Sequence, residues 1–388
     1  MRSRAIINLR AVRANYVRLL AITGGRTNLM CVVKADAYGH GAVSVSRALS
    51  AAGARHFAVA TLDEGVRLRD GGVGGSVVVL GGLEAGTERE AVLRGIESAV
   101  GTIGELERLN DAARMLGRRL SCHLLFNTGM NRLGIDFDPG RPASASRLHE
   151  AIRASEWLEV RGAGTHYACS EDFLTRRTER QSRRFARQVD ALRSAGVAPR
   201  YVHAANSAAV VYRGIGGIGD PLGHTMVRPG LALYGYVKEA RGRSFRSDPV
   251  LRPVLEWRAR LVRIRDVPPG AGIGYGPAYV AKRPTRIGVL AVGYADGYDS
   301  RLSNRGWVVV RGATCEVLGE ISMDLTLVDL SGCPDAEVGD EATLVGRRPY
   351  GAMTMAQMIK GSVYEVLCGI SARVPRVYVD RASARRRG

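Results

Sequence analysis

The sequence contains no apolar run approaching the ~20 residues that a membrane span needs, so no transmembrane helix is expected. Its start, MRSRAIINLRAV, is basic but interrupts its apolar residues with Asn8 and Arg10, which makes a poor signal peptide and points to a cytoplasmic protein. Cysteine is sparse: the six, at 31, 122, 169, 315, 333 and 368, show no close pairing. That spacing argues against a zinc ribbon or a disulfide scaffold and suits a reducing compartment. Aromatics are only 6% of the chain, so its cores must be built largely from Val, Leu, Ile and Ala. No GxGxxG follows the first strand signal, and the glycine clusters at 71–75 and 214–219 fall between elements, where they read as turns. Acidic residues are the minority, 37 against 56 basic ones, giving a net charge of +19. Such a surplus can mark a nucleic-acid or membrane surface. Here the arginines scatter over helices such as 175–192, whose apolar stripe is Phe185, Val189 and Leu192. They read as a solvated outer face, and neither nucleic acid nor membrane is expected as a partner. The one compact run, 385–387, sits at a terminus.

What the chain does have is alternation. Strand-like apolar runs (57–60, 76–80, 120–127, 160–166, 201–204) alternate with helical segments (89–94, 105–116, 149–154, 175–192, 207–212) up to about residue 234. Repeated βα units over that length suit a (β/α)8 TIM barrel of class α/β, although doubly wound sheets share the alternation. After a polar, proline-bounded stretch at 243–253, strand signals dominate (254–265, 286–291, 307–310, 314–318, 325–329, 342–345), with one helix near 355–359. The expected division is a barrel over 11–243 and a second, mainly-β domain formed by 244–388 with 1–10.

Chemistry-bearing residues cluster where apolar runs end. In CVVKADAYGHG (31–41), Lys34 leaves a buried strand at what would be a barrel mouth, where desolvation lowers an amine's pKa and makes it a nucleophile. On pattern alone, such a lysine is a snorkelling or salt-bridged strand end. Tyr38, His40 and the glycines read as a loop in front of it. Four further stretches behave similarly: LLFNTGMNRL (124–133), THYA (165–168), HAANSA (203–208) and VRPGLALYG (227–235). Ser207 near a helix start and the amides of Gly230 and Leu231 could hold an anion, or could be an ordinary cap and turn. Arg228 alone reads as a strand-end salt bridge. His166 and His203 could be a metal pair, yet no carboxylate or third histidine accompanies them at ligand spacing, so no metal is expected. Tyr275, between glycines in GIGYGPAY, is ordinarily surface packing.

As a string, VVKADAYGHG resembles the pyridoxal-phosphate attachment site of the bacterial alanine racemases. The resemblance continues through GIGYGPAY, AVGYADGY, ISMDLT and VYEVLCGISARVPR, from the first strand to Pro375. It implies that Lys34 carries pyridoxal 5'-phosphate covalently, that Tyr38, Ser207, Gly230, Leu231 and Tyr364 serve its phosphate, and that Arg228 donates a hydrogen bond to its ring nitrogen. His166 and His203 then support Arg228 and the catalytic tyrosine. Racemisation needs a proton donor and acceptor on each face of the substrate; by resemblance these are Lys34 and a Tyr275 lent across a head-to-tail homodimer. Arg132 binds the substrate carboxylate, while Tyr294 and Met323, lent by the second copy, line the substrate entrance and the carboxylate site. The implied activity is conversion of L- to D-alanine for peptidoglycan synthesis. One departure matters: where many members have a carbamylated lysine and, two residues on, an aspartate, this chain has Leu125 and Asn127. Arg132 must then be positioned otherwise, and Asn127 with a bound chloride is the expectation. The alternative reading is a broad-specificity or basic amino-acid racemase of the same fold. A decarboxylase or a non-catalytic pyridoxal-phosphate carrier fits less well, because Arg228, Tyr275 and the β domain speak against them.

Overall fold

A computed structural model describes residues 1–217, 220, 223–244, 251–276, 278–346 and 349–380. The basic run 385–387, Ile218 and Gly219 at the end of the second glycine cluster, residues 245–250 of the polar stretch and Pro277 of GIGYGPAY lie outside the described residues. The chain divides into two units: Val12–Ala37 with Ala42–Arg252, and Met1–Ala11 with Tyr38–Gly41 and Pro253–Gly388. The first strand, β1 (Ser3–Asn8), belongs to the latter unit, and the helix Leu9–Ile22 follows it.

The first unit is a closed barrel of eight parallel strands: β2 (Asn28–Val32), β3 (His56–Val59), β4 (Ser76–Val79), β5 (Glu97–Val100), β6 (Leu120–Leu125), β7 (Leu158–Gly164), β8 (Tyr201–His203) and β9 (Met226–Val227). Closure comes from β9 pairing with β2, Met226 opposite Asn28 and Val227 opposite Leu29. The strands read as apolar runs because helices cover a parallel sheet, and Met30–Val33 and Val77–Val79 are buried throughout. Helix starts follow side-chain caps: Thr61 accepts the amide of Glu64, Thr102 that of Glu105, and Asn206 that of Ala209. The arginine-rich helix, Arg177–Ser194, buries Phe185, Val189 and Leu192 as its periodicity requires. One barrel strand was hidden in the sequence: β5 opens on Glu97, a carboxylate that interrupts the apolar pattern yet is 4% exposed.

The second unit is mainly β. Its eight-stranded sheet has the path β15-β14-β17-β10-β1-β18, with β13 pairing β10 and β16 pairing β13. These are β10 (Leu255–Val267), β13 (Thr285–Leu290), β14 (Trp307–Val310), β15 (Ala313–Glu316), β16 (Thr326–Asp329), β17 (Glu341–Val345) and β18 (Arg376–Val379). A hairpin of β11 (Gly272–Ile273) and β12 (Tyr279–Val280) flanks Tyr275. The chain's first strand is interior to this sheet, antiparallel to β10 and parallel to β18. Two short helices, Ala352–Met358 and Val363–Gly369, complete the unit; the second, capped by a Ser362–Glu365 box, gave no periodic signal over its seven residues. Among the described residues, no helix is long and apolar enough to cross a membrane.

Candidate active site

Lys34 follows β2, Arg132 lies beyond β6, His166 follows β7, His203 ends β8 and Arg228 follows β9. All five therefore stand at carboxyl ends of parallel strands, the rim where a barrel presents its chemistry. Lys34 is half-buried, and among the described residues its amine has no hydrogen bond or ion pair. Arg132 is exposed and likewise has no side-chain partner among the described residues.

The segment after Lys34 is not the loop expected from its glycines. It is a left-handed helical turn: Ala35, Asp36, Ala37 and Tyr38 have φ of +50°, +51°, +56° and +54°, and Gly39 has +78°. For L-residues this hand costs roughly 1–2 kcal/mol each, so it persists only where surroundings impose it. Glu64 imposes it from one side, its carboxylate accepting the amides of Ala35 at 2.6 Å and Ala60 at 2.7 Å. Asp36 accepts the amide of Ala42 at 2.8 Å. Tyr38 and Gly39 belong to the second unit, and within it Arg376 donates to the carbonyls of Gly39, Ile370, Ser371 and Val374, binding the end of the turn to the segment after helix Val363–Gly369. There Tyr38 and Tyr364 face each other, with ring centroids 5.9 Å apart. Burial raises the Tyr38 hydroxyl's pKa, reinforced by Tyr364 and Cys368.

Arg228, 5% exposed, is held by acceptors on three sides. One terminal nitrogen, Nη1, donates to the Nδ1 and the carbonyl of His203; Nη2 donates to the carbonyls of Thr165 (2.5 Å) and Ala204 (3.4 Å) and to His166 Nδ1 (3.3 Å). Its Nε–H has no acceptor among the described residues. Burial pulls its pKa down to about 10, so it stays charged at neutral pH. The pKa values of His166 and His203 are lowered as well, by burial and by the neighbouring Arg228, which keeps both imidazoles neutral. The pKa of His166 falls to about 3, with Arg132 and Lys34 adding their repulsion, and that of His203 lies well below the usual histidine range.

The amides of Gly230 and Ala232 each donate to Ser207 Oγ at 3.1 Å. Ser207 thus ties the start of helix Ser207–Arg213 to the 230–232 turn, and its own O–H has no acceptor among the described residues. Asn127 does not hold Arg132. Its Nδ2 donates to Asn131 at 3.0 Å and Asp136 at 2.8 Å, and its Oδ1 accepts the amides of Gly129 at 3.0 Å and Asn131 at 3.1 Å. With every group committed, Asn127 shapes the loop carrying Arg132 instead of touching the guanidinium.

Leu231 is buried in the barrel unit; the remaining candidates lie in the β unit and are exposed: Tyr275 at 69%, Met323 at 53% and Tyr294 at 47%. Tyr294 and Met323 share one surface, because the amides of Tyr294 and Ala295 donate to the carbonyls of Ser322 and Met323.

A lysine amine, a rim arginine, a buried arginine with one uncommitted N–H and a serine hydroxyl form a donor set without a carboxylate. That set fits an aldehyde cofactor bearing a phosphate and a ring nitrogen. The comparisons agree. The family model for the alanine racemase N-terminal domain matches residues 7–238, and that for the C-terminal domain matches 254–378. The chain is 37% identical to the alanine racemase of Geobacter sulfurreducens over 97% of each. Its fold superposes on an alanine racemase from Streptomyces lavendulae with a TM-score of 0.88 at 34% identity, covering 98% of both chains. It superposes on the Bartonella henselae alanine racemase, solved with covalently bound pyridoxal phosphate, with a TM-score of 0.83 at 27% identity, over 98% of this chain and all of that one.

Proposed function

The chain belongs to the alanine racemase family, so its reaction is the pyridoxal-phosphate-dependent interconversion of L- and D-alanine, and we propose how its own residues divide that work. When bound, pyridoxal phosphate is an electron sink that acidifies the α-carbon of the amino acid joined to it. Lys34 would hold the cofactor through its amine, and the same amine, at one face of the substrate α-carbon, would take or return the proton there. Tyr275 of a second copy does the same on the opposite face, so each group is base for one enantiomer and acid for the other. Arg132 binds the substrate carboxylate, and any chloride nearby rests on that guanidinium, since Asn127's donors are committed elsewhere. Arg228 would offer its Nε–H to the ring nitrogen and, being a donor only, would not protonate it. Ser207, Leu231, Tyr38 and Tyr364 serve the phosphate, with Gly230 acting through Ser207. His166 and His203 hold Arg228, and Tyr294 and Met323 border the entrance.

One observation carries this reading. Lys34, Arg132 and Arg228 all bear electrostatically on His166 at the barrel rim, and none has a carboxylate partner among the described residues. A site so charged is suited to a ligand bringing its own anions, here a phosphate and an amino-acid carboxylate. The exposure of Tyr275 fits a residue whose working environment is supplied by another copy, hence a homodimer. A cytoplasmic location and supply of D-alanine to peptidoglycan follow as the corresponding biological role.

The test is α-proton exchange in deuterium oxide, followed together with optical rotation, for each common L-amino acid. Alanine should exchange and racemise; racemisation confined to lysine or arginine would overturn the assignment. Lys34→Ala should remove the visible absorbance of the lysine-bound cofactor, and persistence of that band would mean the anchor lies elsewhere.

A further inference from the structure

Behind Arg228, a line of buried polar groups crosses the barrel from rim to floor. His203 Nε2 lies 2.8 Å from His123 Nδ1, and His123 Nε2 lies 3.3 Å from Glu97 Oε2. Glu97 Oε1 accepts from Arg161 Nη1 at 3.0 Å. His203 is fully buried, His123 is 1% exposed and Glu97 4%. Arg228 stands at the rim after β9, His203 ends β8, His123 is inside β6 and Glu97 opens β5, so the line descends toward the floor as it passes between strands.

Its direction is fixed by chemistry. An arginine can only donate, so His203 Nδ1 must accept from Arg228 and carry no proton. His203 Nε2 is then the N–H and donates to His123 Nδ1. His123 must in turn carry its proton on Nε2 and donate to Glu97, a carboxylate that only accepts. Every member points the same way, from a cation at the rim to an anion at the floor, and reversing one link would set two donors or two acceptors face to face.

The barrel makes room for this line. On β7 the residues facing the two imidazoles are Gly162 and Gly164: a Cβ on Gly162 would fall well inside contact distance of His123 Nδ1, and one on Gly164 inside that of the His203 ring. The ring of Tyr201 lies parallel to that of His123, centroids 6.2 Å apart and planes 4° apart. A packed apolar core needs neither the two glycines nor the buried carboxylate.

We propose that His123 and Glu97 are positioning residues for the reaction: they hold His203 in the Nε2–H form, so that its Nδ1 lone pair fixes the Arg228 guanidinium with Nε–H turned toward the cofactor. The inference rests on Arg228 facing the cofactor nitrogen. Outer-shell supports of this kind typically contribute about 10-fold or more to the function of the group they orient.

The experiment has two arms on the holoenzyme. Neutron diffraction from deuterated wild-type crystals should place a deuteron on Nε2 of both His203 and His123 and none on either Nδ1; a deuteron on His203 Nδ1 overturns the proposal. In solution, His123→Leu should shift the visible band of the lysine-bound cofactor and lower kcat by about 10-fold or more with a smaller change in KM. Glu97→Met, which removes the acceptor, should shift the band in the same direction. His123→Asn, whose oxygen can stand where Nδ1 does and accept from His203, and Glu97→Gln, whose oxygen can still accept from His123, should recover most of the band position. If the leucine variant does not fold, Glu97→Met and His123→Asn still decide. An unmoved band and unchanged kcat in folded His123→Leu or Glu97→Met overturn the proposal, even if thermal stability falls. Arg228→Leu separates the two readings: an unmoved band there removes the premise about Arg228, while the deuteron positions stand independently of it.

Discussion

Arg228 has both terminal nitrogens committed to carbonyl and imidazole acceptors, leaving one N–H for a ligand. A lysine there supplies a single compact ammonium and cannot reach His203, Thr165 and His166 together. Arg228→Lys should therefore destabilise the fold by about 2 kcal/mol or more, read from chemical denaturation, because buried acceptors lose charged donors. The neutral histidines beside it set a pH dependence. The pKa of His166 is about 3 in the fold against 6.5 unfolded, and that of His203 is lowered too, so as pH falls the unfolded chain binds protons first. Stability should decline from about pH 6.5 downward, His166 contributing until about pH 3, with a slope near 1.4 kcal/mol per pH unit for each histidine. Denaturation midpoints across that range check this; His166→Gln should flatten the slope, and an unchanged slope contradicts the assignment. At this scale the rim residues were legible because each stood where an apolar run turned polar. His123 and Glu97 were not: a histidine inside CHLL and a glutamate opening ESAV break the apolar pattern without saying what they meet across the barrel.

The turn after Lys34 and the strand β7 show what elements add. ADAYG contains ordinary helix and turn formers, and nothing local announces four consecutive residues at positive φ. The conformation is imposed by Glu64 and Arg376, 29 and 337 residues from the Ala35 amide and Gly39 carbonyl they bind, so the local sequence points only to a loop. Removing the carboxylate leaves two amides short of an acceptor. Glu64→Ala should thus cost about 2–4 kcal/mol and speed the loss of cofactor on dialysis, measured from the visible band. Gly39 has no freedom to change either, since a Cβ would press on the Leu367 carbonyl and φ is positive. In β7, Gly162→Ala would drive a methyl into His123; overpacking of this kind costs typically about 1–3 kcal/mol, and a thermal midpoint as high as wild type would contradict the geometry.

For the whole molecule, the βα alternation and the later run of strands were enough to anticipate a parallel barrel and a separate mainly-β unit. The pattern assigns residues 1–10 to the second unit but does not show that β1 lies between β10 and β18 in its sheet, because pairing with strands some 250 and 370 residues away leaves no local trace. Tyr275, Tyr294 and Met323 are exposed within their unit, and Tyr275 is proposed to serve the active site of a second copy. That claim is tested most directly by racemase activity in mixed dimers, purified through two different tags, of one Lys34→Ala chain and one Tyr275→Phe chain. Each variant alone should be inactive. The mixed dimer has one site with both groups intact if Tyr275 is lent across the interface, so roughly half the wild-type turnover per dimer should return. Mixed dimers as inactive as either parent would contradict the account.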